Sequence, residues 1–161
     1  MTEPRWLQDN EKSTWRLYLS ATRLVEEALD RQMREDAGIP HSYYEILVHL
    51  SGAEDRSMRM TELANRTLSS KSRLSHAVAK LEALGWVQRA ACATDKRGQV
   101  AVLTDEGMAA LVEAAPGHVE EVRQRLFDPL TAEEQDVLAR ACRNILSAMG
   151  EDPDRIAADI D

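Results

Sequence analysis

Apolar side chains recur at mostly helical intervals from Asn10 to Glu35, through Trp15, Tyr18, Leu19, Val25, Leu29 and Met33, which predicts one long helix. Gly38 and Pro40 end it. A second helix is expected to open at Ser42-Tyr43-Tyr44-Glu45, where a hydroxyl and a carboxylate three residues apart can satisfy each other's orphan amides. Ile46, Leu47 and Leu50 supply its buried face and Ser51-Gly52 stops it. A short third helix centres on Glu62-Leu63-Ala64. Ser70 caps a fourth through its hydroxyl, with Leu74, Val78 and Leu81 marking an inner face at i, i+4, i+7 and Gly85 at the left-handed C-terminal position.

The pattern then shifts to a hairpin. Trp86 to Ala91 and Gln99 to Leu103 read as its two arms, with Asp95 to Gly98 at the tip and Gly98 free to take a positive φ. Thr104-Asp105-Glu106 caps a fifth helix, acidic in its first turn as the helix dipole prefers, and Pro116-Gly117 predicts a kink or break in it. A second capping box, Thr131-Ala132-Glu133-Glu134, opens a sixth helix through Val137, Leu138, Ile145, Leu146 and Met149, and Gly150 closes it. The acidic tail from Glu151 to Asp161 either frays or packs Ile156 and Ile160. The predicted class is mainly α with a small two- to three-stranded β-wing.

Composition narrows the function. A chain of 161 residues, 43% hydrophobic and 30% charged, is long enough for one soluble domain with a real core. No apolar run is long enough to span a bilayer, and the residues from Met1 to Trp6 lack the apolar core of a signal peptide, so a cytoplasmic location is expected. Cys92 and Cys142 stand 50 positions apart without a CxxC, and are expected as free thiols. His41, His49, His76 and His118 are scattered with no local acid–histidine cluster, so neither a metal site nor a cofactor is predicted. G-x-S-x-G, P-loop, G-x-G-x-x-G and HExxH motifs are all missing. Ser72, His76 and Asp95 have the residue types of a triad but fall on an exposed helix and a hairpin, so no enzyme is expected.

Charge distribution changes the picture most. The net charge is −8, yet Arg56 to Thr104 holds nine cations (Arg56, Arg59, Arg66, Lys71, Arg73, Lys80, Arg89, Lys96, Arg97) against Glu62, Glu82 and Asp95. A basic island on an acidic protein orients the molecule toward phosphate. A helix with hydroxyls and cations on its outer face, followed by a basic hairpin, is how a winged helix-turn-helix meets double-stranded DNA: the helix enters the major groove and the hairpin reaches the adjacent backbone or minor groove.

Specific motifs sharpen this. Thr61-Glu62-Leu63-Ala64, Ser70-Lys71-Ser72-Arg73, Leu81-Glu82-Ala83-Leu84-Gly85-Trp86-Val87, Asp95-Lys96-Arg97-Gly98, Leu103-Thr104-Asp105-Glu106-Gly107 and Phe127-Asp128-Pro129-Leu130-Thr131 follow one another in the order that resembles the MarR family of bacterial transcriptional regulators. Two features depart from common patterns. Leu68 stands in the turn where many helix-turn-helix units have glycine, and the first helix lacks the reactive cysteine of the family's hydroperoxide sensors. The resemblance implies a homodimer, with residues 1–40 as an N-terminal dimerisation helix, 41–104 as the winged DNA-binding region and 105–161 as C-terminal dimerisation helices, intertwined into one domain. It further implies repression at a near-palindromic operator until a small organic effector changes the spacing of the two lobes.

Residue by residue, Ser70, Lys71, Ser72, Arg73, Ser75 and His76 are the candidate groove contacts, with Arg73 able to form a bidentate pair with guanine. Arg97 suits a narrow minor groove, Asp95 orients it or caps the turn, and Lys96 and Arg89 are expected on phosphates. Arg59 and Arg66 stand equally well as surface charges. The resemblance also implies an effector crevice between dimer helices and winged lobe, for which Trp15, Tyr18, Tyr43 and Tyr44 are the aromatic candidates. The competing readings are a winged helix used for protein contact alone, which would not need nine cations here, and a regulator of the same fold answering to oxidants or to a metal.

Overall fold

The computed structural model describes residues 3–92 and 95–158, with the backbone alone for residues 92 and 95–97. Helix α1 (Asp9–Ala37) ends on Gly38 at φ 70°, and α2 spans His41–Ser51. A 3-10 turn (Glu54–Arg56) and strand β1 (Ser57–Arg59) lead into α3 (Met60–Arg66) and α4 (Lys71–Ala83). Strands β2 (Val87–Cys92) and β3 (Asp95–Leu103) form the hairpin, and β1 adds to β3 on its other side, giving an antiparallel sheet in the order β1-β3-β2. Helix α5 (Asp105–Val122), a π-turn (Arg123–Phe127), α6 (Ala132–Ala148) and α7 (Pro153–Ala158) complete the chain. Among the described residues no helix is long and apolar enough to cross a membrane.

One core holds the lobe together. Met33 of α1, Ile46, Leu47 and Leu50 of α2, Leu63 of α3, and Leu74, Val78 and Leu81 of α4 are all buried, and Val87, Ala101 and Leu103 close it from the sheet. The helical period that predicted the inner face of α4 is the one that packs. Ser70 Oγ accepts from Arg73 N at 3.3 Å, Thr104 Oγ1 from Gly107 N at 3.0 Å and Thr131 Oγ1 from Glu134 N at 3.3 Å, so three of the four predicted hydroxyl caps form.

Three local expectations are corrected, and the alternative left open for the tail is decided. Ser42 does not cap α2: Pro40 occupies that position, and the His41 amide donates to Asp30 Oδ1 at 3.0 Å, a carboxylate supplied by α1. Asp95 to Gly98 belong to β3 rather than to a hairpin tip, because the pairing steps from Ala91–Gln99 to Cys92–Asp95 and makes an irregularity of 96–98. Residues 93 and 94 lie outside the described residues, as does Ile160 of the tail. Helix α5 runs unbroken through Pro116, held where it crosses α1 so closely that a Cβ on Gly117 would come within 2.6 Å of Asp36 Oδ2. The tail does not simply fray: α7 is tied to α6 by an Arg143–Asp154 ion pair, and half-buried Ile156 shares a cleft with His49, Asn65 and Leu68.

The apolar pattern of α1 divides at its middle. Ala28, Leu29 and Met33 are buried, while Trp15, Leu17, Tyr18, Leu19 and Leu24 lie exposed along its first half. Helix α6 buries none of its residues within the protomer, leaving Val137, Leu138 and Ile145 on its surface.

Candidate nucleic-acid interface

With Leu74, Ala77, Val78 and Leu81 turned into the core, geometry leaves Lys71, Ser72, Arg73, Ser75 and His76 exposed on the outer side of α4. Ser70 Oγ lies 3.2 Å from Ser72 Oγ, so the first turn carries a small hydroxyl cluster at the positive end of the helix dipole, where phosphate oxygens bind. Among the described residues no ion pair engages Lys71 or Arg73. Other cations of the basic segment are tied down: Arg56 pairs with Asp105 at 2.9 Å and Arg66 with Glu62 at 3.0 Å. The backbone of Lys96 and Arg97 sits at the irregular start of β3, at the far end of the hairpin; their side chains lie outside the described residues.

Arg89 is placed differently from the sequence expectation. Its Nη2 donates to the Ser75 carbonyl at 2.6 Å and its Nε lies 3.3 Å from Glu82 Oε2, so the guanidinium is committed within the lobe.

The turn that presents α4 runs through Leu68 at φ 48°, a left-handed conformation that glycine adopts without cost and leucine does not. The side chain remains 74% exposed, so burial does not offset the strain.

The four aromatic candidates do not converge within one protomer. Trp15 and Tyr18 stack on each other on the exposed half of α1, ring centroids 6.2 Å apart. Tyr43 is half-buried beside an open cleft that also touches Ser72, Arg73 and His76 of α4. Tyr44 is a core residue: its ring lies 4.6 Å from His118 and 6.3 Å from His41, and burial pushes its hydroxyl pKa up.

A cluster that local sequence inspection missed surrounds it. His41 and His118 stack at 5.1 Å, and Glu26 Oε2 lies 3.6 Å from His41 Nδ1. Burial, with His41 adding repulsion, holds His118 down to about 4, while burial raises Glu45 against the opposing pull of His41, with Glu26 adding to the rise. The two histidines come from elements 77 positions apart, so only the crossing of α2 with α5 could reveal them. Among the described residues no group of three or more potential ligands is arranged to hold a metal ion.

Comparison with known proteins agrees with this arrangement. Residues 37–98 match the family model described as MarR family. Sco3205, a MarR family transcriptional regulator from Streptomyces coelicolor solved in complex with DNA, is 51% identical, covers 92% of each chain and superposes with a TM-score of 0.88. AbsC, another MarR family regulator from Streptomyces coelicolor, is 39% identical over 91% of this chain and 98% of its own, with a TM-score of 0.85. The transcriptional repressor MprA of Escherichia coli (strain K12) is 28% identical over 120 residues, 74% of this chain and 68% of MprA. A helix-turn-helix with an exposed hydroxyl-and-cation face, a three-stranded wing and flanking long helices, together with the identity to Sco3205 and AbsC over nine-tenths of the chain, places the chain in the MarR family of DNA-binding transcriptional regulators.

Proposed function

We propose that the chain acts as a homodimeric repressor of a near-palindromic operator, released by a small organic effector. The observation that carries this is the pairing of an exposed hydroxyl-and-cation face on α4 with two uncovered apolar surfaces, the first half of α1 and the apolar side of α6. Exposed apolar stripes of this extent mark association surfaces, and interlocking α1, α5 and α6 of two protomers would cover them. The dimer then offers two recognition helices to successive major grooves, with half-sites about 10 bp apart. Ser70, Lys71, Ser72, Arg73 and His76 are the groove and phosphate contacts, and Lys96 and Arg97 extend them from the wing. Repression is supported by MprA, a repressor by name. Trp15, Tyr18 and Tyr43 are the aromatic surfaces open to an effector, which must favour the DNA-incompetent geometry, since equal affinity for both states shifts nothing.

Fluorescence anisotropy on DNA from upstream of its own gene, beside a scrambled duplex across a salt series, tests this reading. Selective binding with a steep negative salt slope is expected. Binding absent even at low salt overturns it in favour of a protein-contact role. Leu138→Glu, on the exposed face of α6, should yield monomers by light scattering, and a dimer that survives it moves the interface elsewhere.

A further inference from the structure

The Arg89 side chain is committed inside the lobe, and its partners define a task. Nη2 donates to the Ser75 carbonyl at 2.6 Å, and Ser75 Oγ stands 3.5 Å from the same nitrogen. Nε is buried and makes no hydrogen bond among the described residues, but lies at ion-pair distance, 3.3 Å, from Glu82 Oε2, and the Arg89 backbone amide donates to Glu82 Oε1 at 3.0 Å. Ser75 and Glu82 are seven residues apart on one side of α4, roughly 10 Å along its axis. One residue of β2 therefore fastens the wing to the recognition helix at two heights. The covalent link between these elements is only Leu84-Gly85-Trp86, with Gly85 at φ 76°. A guanidinium held this way no longer reaches for a phosphate, and an acid in a DNA-facing lobe has its charge matched.

We propose that Glu82 and Arg89 form a positioning pair that sets the angle between α4 and the wing, so that helix and hairpin address neighbouring grooves together. The pair rests on the DNA-binding reading and touches no base itself. Its consequence runs against simple electrostatics: an acidic residue in the DNA-binding lobe strengthens DNA binding.

The test uses full-length protein and a duplex that the wild type selects from a random pool. Wild-type binding to that duplex carries the DNA-binding reading, and the variants carry the pair. Glu82→Gln and Arg89→Gln should each weaken selected-duplex binding about tenfold and narrow discrimination against a scrambled duplex. The double variant should be no weaker than the weaker single, and the salt slope should match wild type in all three. Glu82→Gln binding as tightly as wild type or tighter, with Arg89→Gln losing affinity equally on both duplexes and a salt slope shallower by about one, would make Arg89 a phosphate contact and overturn the pair. Arg89→Lys guards against variants that fail to fold: it keeps the charge but not the two-pronged fork, and should lose discrimination. Wild-type discrimination in Arg89→Lys overturns the proposal equally.

Discussion

The carbonyl oxygen of Trp86 sits where a side chain on Gly107 would have to go: a Cβ built at Gly107 lies 2.1 Å from it. The same oxygen accepts from the Thr104 amide at 3.1 Å, while Thr104 Oγ1 donates to the Gly85 carbonyl at 2.7 Å. The exit from the recognition helix and the entry to α5 are thus one knot, in which the threonine caps and the glycine lets backbone touch backbone. Gly107→Ala cannot be relieved by a rotamer change, because the obstacle is main chain. It should cost about 3 kcal/mol or more in urea denaturation, at the upper end of overpacking penalties. A loss below about 0.5 kcal/mol, the range of neutral surface changes, would show that the knot is loose.

That knot was half legible in the sequence. Ser70, Gly85, Thr104 and Thr131 declared their helix ends because a hydroxyl cap or a left-handed glycine is a local device, complete within four residues. Ser42 misled for the same reason: the capping box looked complete, but Asp30, eleven residues before His41, supplied the acceptor from another helix. Pro116 failed to break α5 because packing against α1 outweighs one missing donor. Arg89 read as a phosphate contact since neither Glu82 nor the Ser75 carbonyl can be seen to face it until β2 folds back on α4. The cations of α4 were legible because the core side of that helix, and so its outer side, follows from period alone.

Leu68 gives a prediction of opposite sign. At φ 48° it bears the left-handed penalty of about 1–2 kcal/mol that an L side chain incurs there. Glycine removes that penalty but loses more chain entropy on folding, about 0.5–1 kcal/mol. The exposed side chain forfeits little packing, so Leu68→Gly should stabilise by about 0.5–1 kcal/mol, whereas β-branched Leu68→Val should destabilise. A Leu68→Gly protein that unfolds earlier than wild type in urea would mean that the lost side-chain packing and added chain entropy outweigh the relieved strain.

His118 predicts acid sensitivity. Its folded-state value of about 4 lies below the ordinary 6.5, so the unfolded chain binds the extra proton first as pH falls. The stability tied to its neutral ring is present above pH 6.5 and is lost progressively as pH falls from there toward 4. Glu45, raised on folding, works in the opposite sense and favours the folded state as its carboxyl protonates. His118→Phe keeps an aromatic ring against His41 and Tyr44 but has nothing to titrate. Urea midpoints at pH 7 and pH 5 should fall less for His118→Phe than for wild type, and equal falls would remove His118 from the account.

Arg73 tests what the outer side of α4 reads. Its backbone amide is spent on the Ser70 cap, which fixes the first turn, while the guanidinium is exposed and, among the described residues, without an ion pair. An arginine at that place can pair with the O6 and N7 of guanine or clamp a phosphate, and the two leave different signatures. Arg73→Ala should cost about 1–3 kcal/mol on the selected duplex and relax preference at one base pair of each half-site. Both half-sites must change together, because a twofold dimer presents the same side chain to each. An affinity loss spread evenly over all sequences, with a salt slope shallower by about one for each phosphate no longer neutralised, would assign Arg73 to the backbone. Base selection would then fall to Ser72 and His76, which stand one helical turn apart on the same exposed side.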